Sequence, residues 1–309
     1  MKILIELPTW LGDSIMATPA IENITNFFND SKITLIGSSI SIEVLKNHPN
    51  VVETHVITKS YSSIYNSLKS IGVFDISFSF RSSFRSKLMK FFISSERKYQ
   101  YDKYKYIGNH QVEKYNTFVN ESLSINNNPG KLTIHFKKNS IKGINKLLGI
   151  NPGATYGSSK RWYPKEFANV AESLSNQYDI IIFGGPDEKN IAEDIENYLI
   201  KKGVSNYQNL AGKTSISELV DQVSNLDLFI TGDSGPMHLA AIFQIPTISI
   251  FGSSMDSETS QWMNVKSLVV KKNLNCQPCL KRACPLKHHN CMKLIKSDEI
   301  LKAIQSLEL

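Results

Sequence analysis

The sequence predicts an α/β protein of two doubly wound parallel-sheet domains facing across a cleft. Three observations carry this. Strand-length apolar runs alternate with helix-length stretches along most of the chain, the pattern of parallel sheets covered by helices on both faces. The alternation occurs as two series, with the polar turn cluster Asn126-Asn-Asn-Pro-Gly130 near the end of the first. The 309 residues suffice for two separate cores.

The first series opens with an apolar strand over Lys2 to Leu7 and a helix from about Ser14 to Phe28, in which Pro19 should force a kink or an irregular first turn. Strands at 32–37, 52–57 and 74–80 alternate with helices at 41–46 and 61–71. Residues 81–128 read as less regular, basic and aromatic. Leu132 to Phe136 is expected to be the last strand of the first domain, and the linker to lie between Lys137 and Lys146. The second series starts with a strand at 148–151. Pro164 suits the first turn of a helix over 164–176. Strands follow at 179–184, 226–231 and 247–252, with helices at 187–201, 215–223 (Thr214 as cap) and 235–243. A closing helix begins at Ser297, read as its cap. The domain bounds are 1–143 and 144–295, with 296–309 a C-terminal helix.

Bulk properties narrow the function. Hydrophobic residues make up 41% and charged residues 20%, ordinary for a soluble domain. The longest apolar runs, Ile180 to Phe183 and Thr247 to Phe251, are strand-length, far from the ~20 residues of a membrane span. The start, Met1-Lys-Ile-Leu-Ile-Glu, lacks the pattern of a signal peptide, so a cytosolic protein is expected. The net charge of +7 is uneven: residues 81–138 hold 12 Lys and Arg against 4 acids, and residues 266–296 hold 8 and none. An anionic partner would explain this, whether phosphorylated substrate, membrane surface or nucleic acid; so would a lysine-rich surface, since 30 of the 35 cations are Lys.

Three motifs carry chemistry. In Trp10-Leu-Gly-Asp-Ser-Ile-Met-Ala-Thr-Pro-Ala-Ile21, Gly12 permits a sharp turn and Asp13 falls at a strand end, the usual ligand position of an open α/β sheet. No dinucleotide glycine fingerprint accompanies it. Asp13 therefore reads either as a base for a neutral nucleophile or as a helix N-cap. The loop Asn151 to Pro164, with Lys160 and Arg161, is an anion loop or a plain turn. In Thr231-Gly-Asp-Ser-Gly-Pro-Met-His238, glycines and a helix N-terminus offer an anion site. Asp233 could instead be an N-cap, and His238 a core histidine.

These blocks, with Cys276 to Met292, occur in order across nearly the whole chain. Together they resemble glycosyltransferase family 9, the ADP-heptose:lipopolysaccharide heptosyltransferases, of the heptosyltransferase II type. The stretch His110-Gln-Val-Glu-Lys-Tyr115 resembles a segment of that family's acceptor domain. The resemblance implies a GT-B fold: two Rossmann-like domains, with the final helix returning to the first. It implies an inverting reaction with no cofactor and no catalytic metal, ADP-heptose as donor, and Asp13 as general base. Thr155, Lys160, Asp187, Glu188, Asp233, Ser234, Gly235 and His238 would bind the donor. Arg81, Arg85 and His110 would bind the acceptor, an anionic, lipid-linked Kdo-heptose core at the inner leaflet of the cytoplasmic membrane. The enzyme would then be cytoplasmic and membrane-peripheral, with no nucleic acid partner.

The four cysteines, Cys276, Cys279, Cys284 and Cys291, fall within 16 residues, with His288 and His289 between them. They read either as a structural metal site or as reduced or partly paired thiols. Two other functions compete: a GT-B enzyme using a different nucleotide sugar or core position, and a basic nucleic-acid-binding protein with a cysteine zinc site. The second lacks any recognisable nucleic-acid-binding module.

Overall fold

Ile3, Leu4 and Ile5 are fully buried and make β1 (Lys2–Glu6) the central strand of a five-stranded parallel sheet. The computed structural model describes residues 1–57, 68–138 and 145–307 and divides into two compact units, Met1–Lys137 and Lys138–Leu309. The expected boundary after residue 143 and most of the helix expected at 61–71 lie outside the described residues.

In the first unit β1 is followed by α1 (Leu11–Met16) and α2 (Thr18–Phe27). The single helix expected here is broken at Ala17, because Pro19 near the start of α2 has no N–H to continue α1. β2 (Lys32–Gly37), α3 (Ser39–Leu45), β3 (Val51–Val56) and β4 (Val73–Ser79) follow. The stretch expected to be irregular holds α4 (Phe84–Phe92), β5 (Ser94–Gln100) and α5 (Gln111–Leu123). β5, Ser-Ser-Glu-Arg-Lys-Tyr-Gln, is an edge strand whose polar composition masks its pairing with β4. Residues 132–136, expected to be a strand, pair with no sheet. Polar groups hold that segment instead: Thr133 donates its N–H to Thr18 Oγ1 at 3.0 Å and its hydroxyl to Glu22 Oε1 at 3.2 Å. The sheet order is β3-β2-β1-β4-β5, all parallel, so the direction in which successive strands are added reverses between β1 and β4.

The second unit contains β6 (Lys146–Asn151), α6 (Pro164–Leu174), β7 (Tyr178–Ile182), α7 (Lys189–Lys201), β8 (Tyr207–Asn209), α8 (Ile216–Ser224), β9 (Leu228–Gly232), α9 (Gly235–Ile242) and β10 (Thr247–Phe251). α10 (Asp256–Thr259), β11 (Ser267–Lys271), α11 (Asn290–Lys293) and α12 (Ser297–Gln305) complete it. The parallel order β11-β10-β9-β6-β7-β8 places the switch point between β6 and β9. Two expected caps shift by one residue. Ser215, not Thr214, caps α8 in a capping box with Glu218, and Lys296, not Ser297, precedes α12. α12 packs on α6, β10 and β11, and its Ile300 and Ile304 join the core of this second unit. No helix among the described residues is long and apolar enough to cross a membrane.

Candidate active site

Ligands of open α/β sheets bind beyond the strands' carboxyl ends at the point where strand order reverses. In the first unit that point lies between β1 and β4. Asp13 stands in the first turn of α1, partly exposed. The N-cap is Trp10, so Asp13 is not the cap. The fully buried Tyr115 lies within electrostatic reach: burial, and then the Asp13 charge, push its hydroxyl well above the usual tyrosine range. Gln111, one turn earlier on α5, donates to Tyr101 Oη at 3.2 Å, and the Tyr101 and Tyr115 rings meet at 5.0 Å. Tyr115 and Gln111 were not singled out from the sequence, although both lie in the His110–Tyr115 segment. Their i, i+4 spacing on a helix was the available signal.

At the same switch point Glu6, buried at the end of β1, accepts from Ser79 Oγ at 2.6 Å and from the Ser86 hydroxyl. Arg81 Nη1 lies 3.5 Å from its other oxygen. Burial pushes this carboxyl above its usual range, and the two hydroxyls, Arg81 and Arg85 pull it back in part. Two of the residues expected to bind acceptor, Arg81 and Arg85, therefore share one buried counter-charge. The third, His110, is the N-cap of α5: its Nδ1 accepts from the Val112 N–H, and Glu113 closes a capping box.

In the second unit the ends of β6 and β9 are knitted together. Asn151 Nδ2 donates to Ser234 Oγ at 3.1 Å, and Ser234 Oγ lies 3.0 Å from Thr231 Oγ1. Lys160 Nζ pairs with the buried Asp233 carboxylate at 2.5 Å. Ser234 and Gly235 open α9, and His238 is buried in that helix. Thr155 is exposed on the loop after β6. Glu188 accepts from the Gly185 N–H at 2.7 Å, and a Cβ at Gly153 would collide with its carboxylate. Asp187 beside it is exposed. The structure thus brings Lys160, Asp233, Ser234 and Gly235 together and sets Glu188 under the 151–157 loop.

Two further residues lie beside Lys160. The Tyr156 ring has Lys160 Nζ at 4.7 Å and the Arg282 guanidinium at 5.5 Å from its centroid. Arg282 reaches it because the cysteine-bearing loop grips the 151–160 loop. Tyr156 Oη donates to Leu280 O at 2.8 Å, the Ser159 hydroxyl to Lys281 O, and the Ser159 N–H to Arg282 O at 3.1 Å. A Cβ at Gly157 would collide with the Arg282 carbonyl. Among the described residues no carboxylate pairs with Arg282, so the site carries an unbalanced cation. No sequence signal joins residues so far apart.

The four cysteines and both histidines line one small enclosed cavity with Ser159 and Ser253. Burial, with the other three cysteines nearby, pushes the Cys291 thiol up. The cysteine sulfurs and these histidine nitrogens do not form a group of three or more ligand atoms within 4.8 Å of one another. Among the described residues that spacing occurs at Glu22, His48 and His135, whose ligand atoms lie within 4.8 Å of one another. There the Asn50 N–H donates to His48 Nδ1 at 3.2 Å, so the neutral ring carries its proton on Nε2, facing Glu22 Oε1 at 3.3 Å. With that proton in place the ring offers the cluster no lone pair, and the arrangement is a polar strap holding residues 133–135 to α2.

Comparisons with known proteins give the family and the fold. The family model described as glycosyltransferase family 9 (heptosyltransferase) matches residues 63–290. A lipooligosaccharide heptosyltransferase 2 of Campylobacter jejuni (serotype O:2) is 40% identical over 316 residues, 99% of this chain and 98% of the relative. Among solved structures, E. coli ADP-heptose LPS heptosyltransferase II superposes with a TM-score of 0.81 at 20% identity, over 99% and 98% of the two chains. E. coli heptosyltransferase WaaC with ADP gives 0.75 at 14% identity, over 99% and 100%. The chain belongs to glycosyltransferase family 9 and is a heptosyltransferase with the two parallel sheets of the GT-B structures.

Proposed function

We propose that this heptosyltransferase acts in lipooligosaccharide or lipopolysaccharide core assembly. It moves L-glycero-D-manno-heptose from ADP-heptose to the first heptose of a Kdo2-lipid A inner core, with inversion and without a catalytic metal. The acceptor is lipid-linked and anionic, and the enzyme works at the inner face of the cytoplasmic membrane. The observation that carries this reading is the cation pair around Tyr156, beside the N-terminus of α9 at the β6/β9 switch point. A diphosphate is the anion such a site suits. The names of the relatives, lipooligosaccharide heptosyltransferase 2 and ADP-heptose LPS heptosyltransferase II, supply sugar and acceptor class.

In the reaction the acceptor hydroxyl attacks the anomeric carbon on the face opposite ADP. Its proton passes to the Asp13 carboxylate as the new C–O bond forms. The bond from the anomeric carbon to the diphosphate breaks, and ADP leaves with the electron pair. Lys160, Arg282, the Thr155 hydroxyl and the N–H groups at the start of α9 stabilise the growing charge on the leaving group. Arg81 and Arg85, balanced by Glu6, face the anionic acceptor. Measuring ADP release from ADP-heptose in EDTA, with and without mono-heptosylated Kdo2-lipid A, tests the reading. Acceptor-dependent release supports it; release with another nucleotide sugar alone replaces the donor.

A further inference from the structure

Helix α4 shows solvent what most helices bury. Phe84 and Phe91 are 79% and 80% exposed and stand seven residues apart, hence on one face, with exposed Lys87 between them. Phe92 is exposed beside them, whereas Ser86 and Met89 form the buried face. The helix carries Arg85, Lys87 and Lys90 and no acid. The Lys103 N–H donates to Ser82 Oγ at 3.4 Å, next to the N-cap Ser83, so the following loop lies against the start of α4. That loop adds Tyr104 and Ile107, 76% and 79% exposed, together with Lys103, while Lys105 is paired with Glu121.

Large apolar side chains grouped in this way mark an interaction surface. The partner must be apolar and anionic at once. Protein interfaces deplete lysine from their apolar centre. A bilayer with acidic lipids accepts both, with aromatic rings at the acyl boundary and lysines reaching back to the phosphates. We propose that α4 and the 103–107 loop dock the first unit on an anionic lipid surface, Phe84 and Phe91 entering below the headgroups. The choice of lipid over another apolar anion rests on the lipid-linked acceptor proposed above.

Vesicle flotation tests this with the full chain. Wild type should float with phosphatidylethanolamine/phosphatidylglycerol vesicles. Removing the acidic lipid should cut partitioning about fivefold per engaged cation. The double variant Phe84→Ser/Phe91→Ser should lower it by about tenfold per ring, with an unchanged circular dichroism spectrum. The same variant should keep transfer to a delipidated soluble acceptor and lose transfer to a vesicle-embedded one. Flotation equal to wild type overturns the proposal. So does a wild type that fails to float and forms a dimer broken by the double variant, which would assign the face to a second copy. A wild type that floats in a Phe-dependent way yet heptosylates neither acceptor would overturn the transfer reading and leave the docking surface standing.

Discussion

Asp13 and Arg282 are proposed to act on different substrates, the acceptor hydroxyl and the donor diphosphate, and on that proposal their substitutions should separate cleanly. Asp13→Asn keeps size and removes the base. Turnover should fall about 10²–10⁴-fold, with ADP affinity near wild type in a direct binding assay. Near-normal turnover would leave Asp13 a helix-start residue. Arg282→Ala should weaken ADP about tenfold while adenosine binds as before, because in the proposed role the guanidinium meets only the phosphates. Arg282→Lys should recover part of the loss, since the point charge returns without the planar fork. Calorimetry with the two ligands distinguishes this from general damage. Of these residues, Asp13, Lys160 and Asp233 were visible in the sequence because each sits in a local motif at a strand end. Arg282, Tyr115 and Glu6 were not. Arg282 joins the site through contacts across more than a hundred residues, and Glu6 reads in the sequence as just the polar end of an apolar strand.

Elements explain where the reading of the chain succeeded. Central strands such as β1, β9 and β10 are buried on both faces, so their composition announces them. The edge strand β5 is partly exposed and polar enough to pass for loop. Residues 132–136 erred the other way: their apolar alternation suits a strand, but side-chain hydrogen bonds to α2 take the place of a sheet partner. Caps are similarly decided by a single hydrogen bond. The Ser215 hydroxyl accepts from the Glu218 N–H at 3.2 Å, and Ser215→Ala should cost about 1 kcal/mol in a denaturant titration. Gly157→Ala tests the joint between the 151–160 loop and the cysteine loop. The added methyl meets the Arg282 carbonyl, so the variant should lose about 1–3 kcal/mol of stability and bind ADP more weakly.

At the scale of the whole molecule, acid stability follows from the polar strap. The Glu22 carboxyl is held below its usual range of 4.5 chiefly by its hydrogen bond with His48, with Thr133 and His135 adding to it against partial burial. A depressed folded-state value means that the unfolded chain binds more protons on acidification. The stabilisation is therefore present above about pH 4.5 and lost as pH falls through the lower folded value. Denaturant titrations from pH 7 down to pH 3 should show a steeper acid loss in wild type than in Glu22→Gln. Identical slopes would mean that the strap is electrostatically silent. The grip of the cysteine loop on the 151–160 loop has a consequence for descent. Its three handholds at residues 280–282 are main-chain carbonyls, which every amino acid carries. Leu280 and Lys281 can thus drift among lineages without loosening the hold, while Tyr156, Gly157 and Ser159 cannot. A saturation scan should find mutational tolerance on one side of this seam and intolerance on the other.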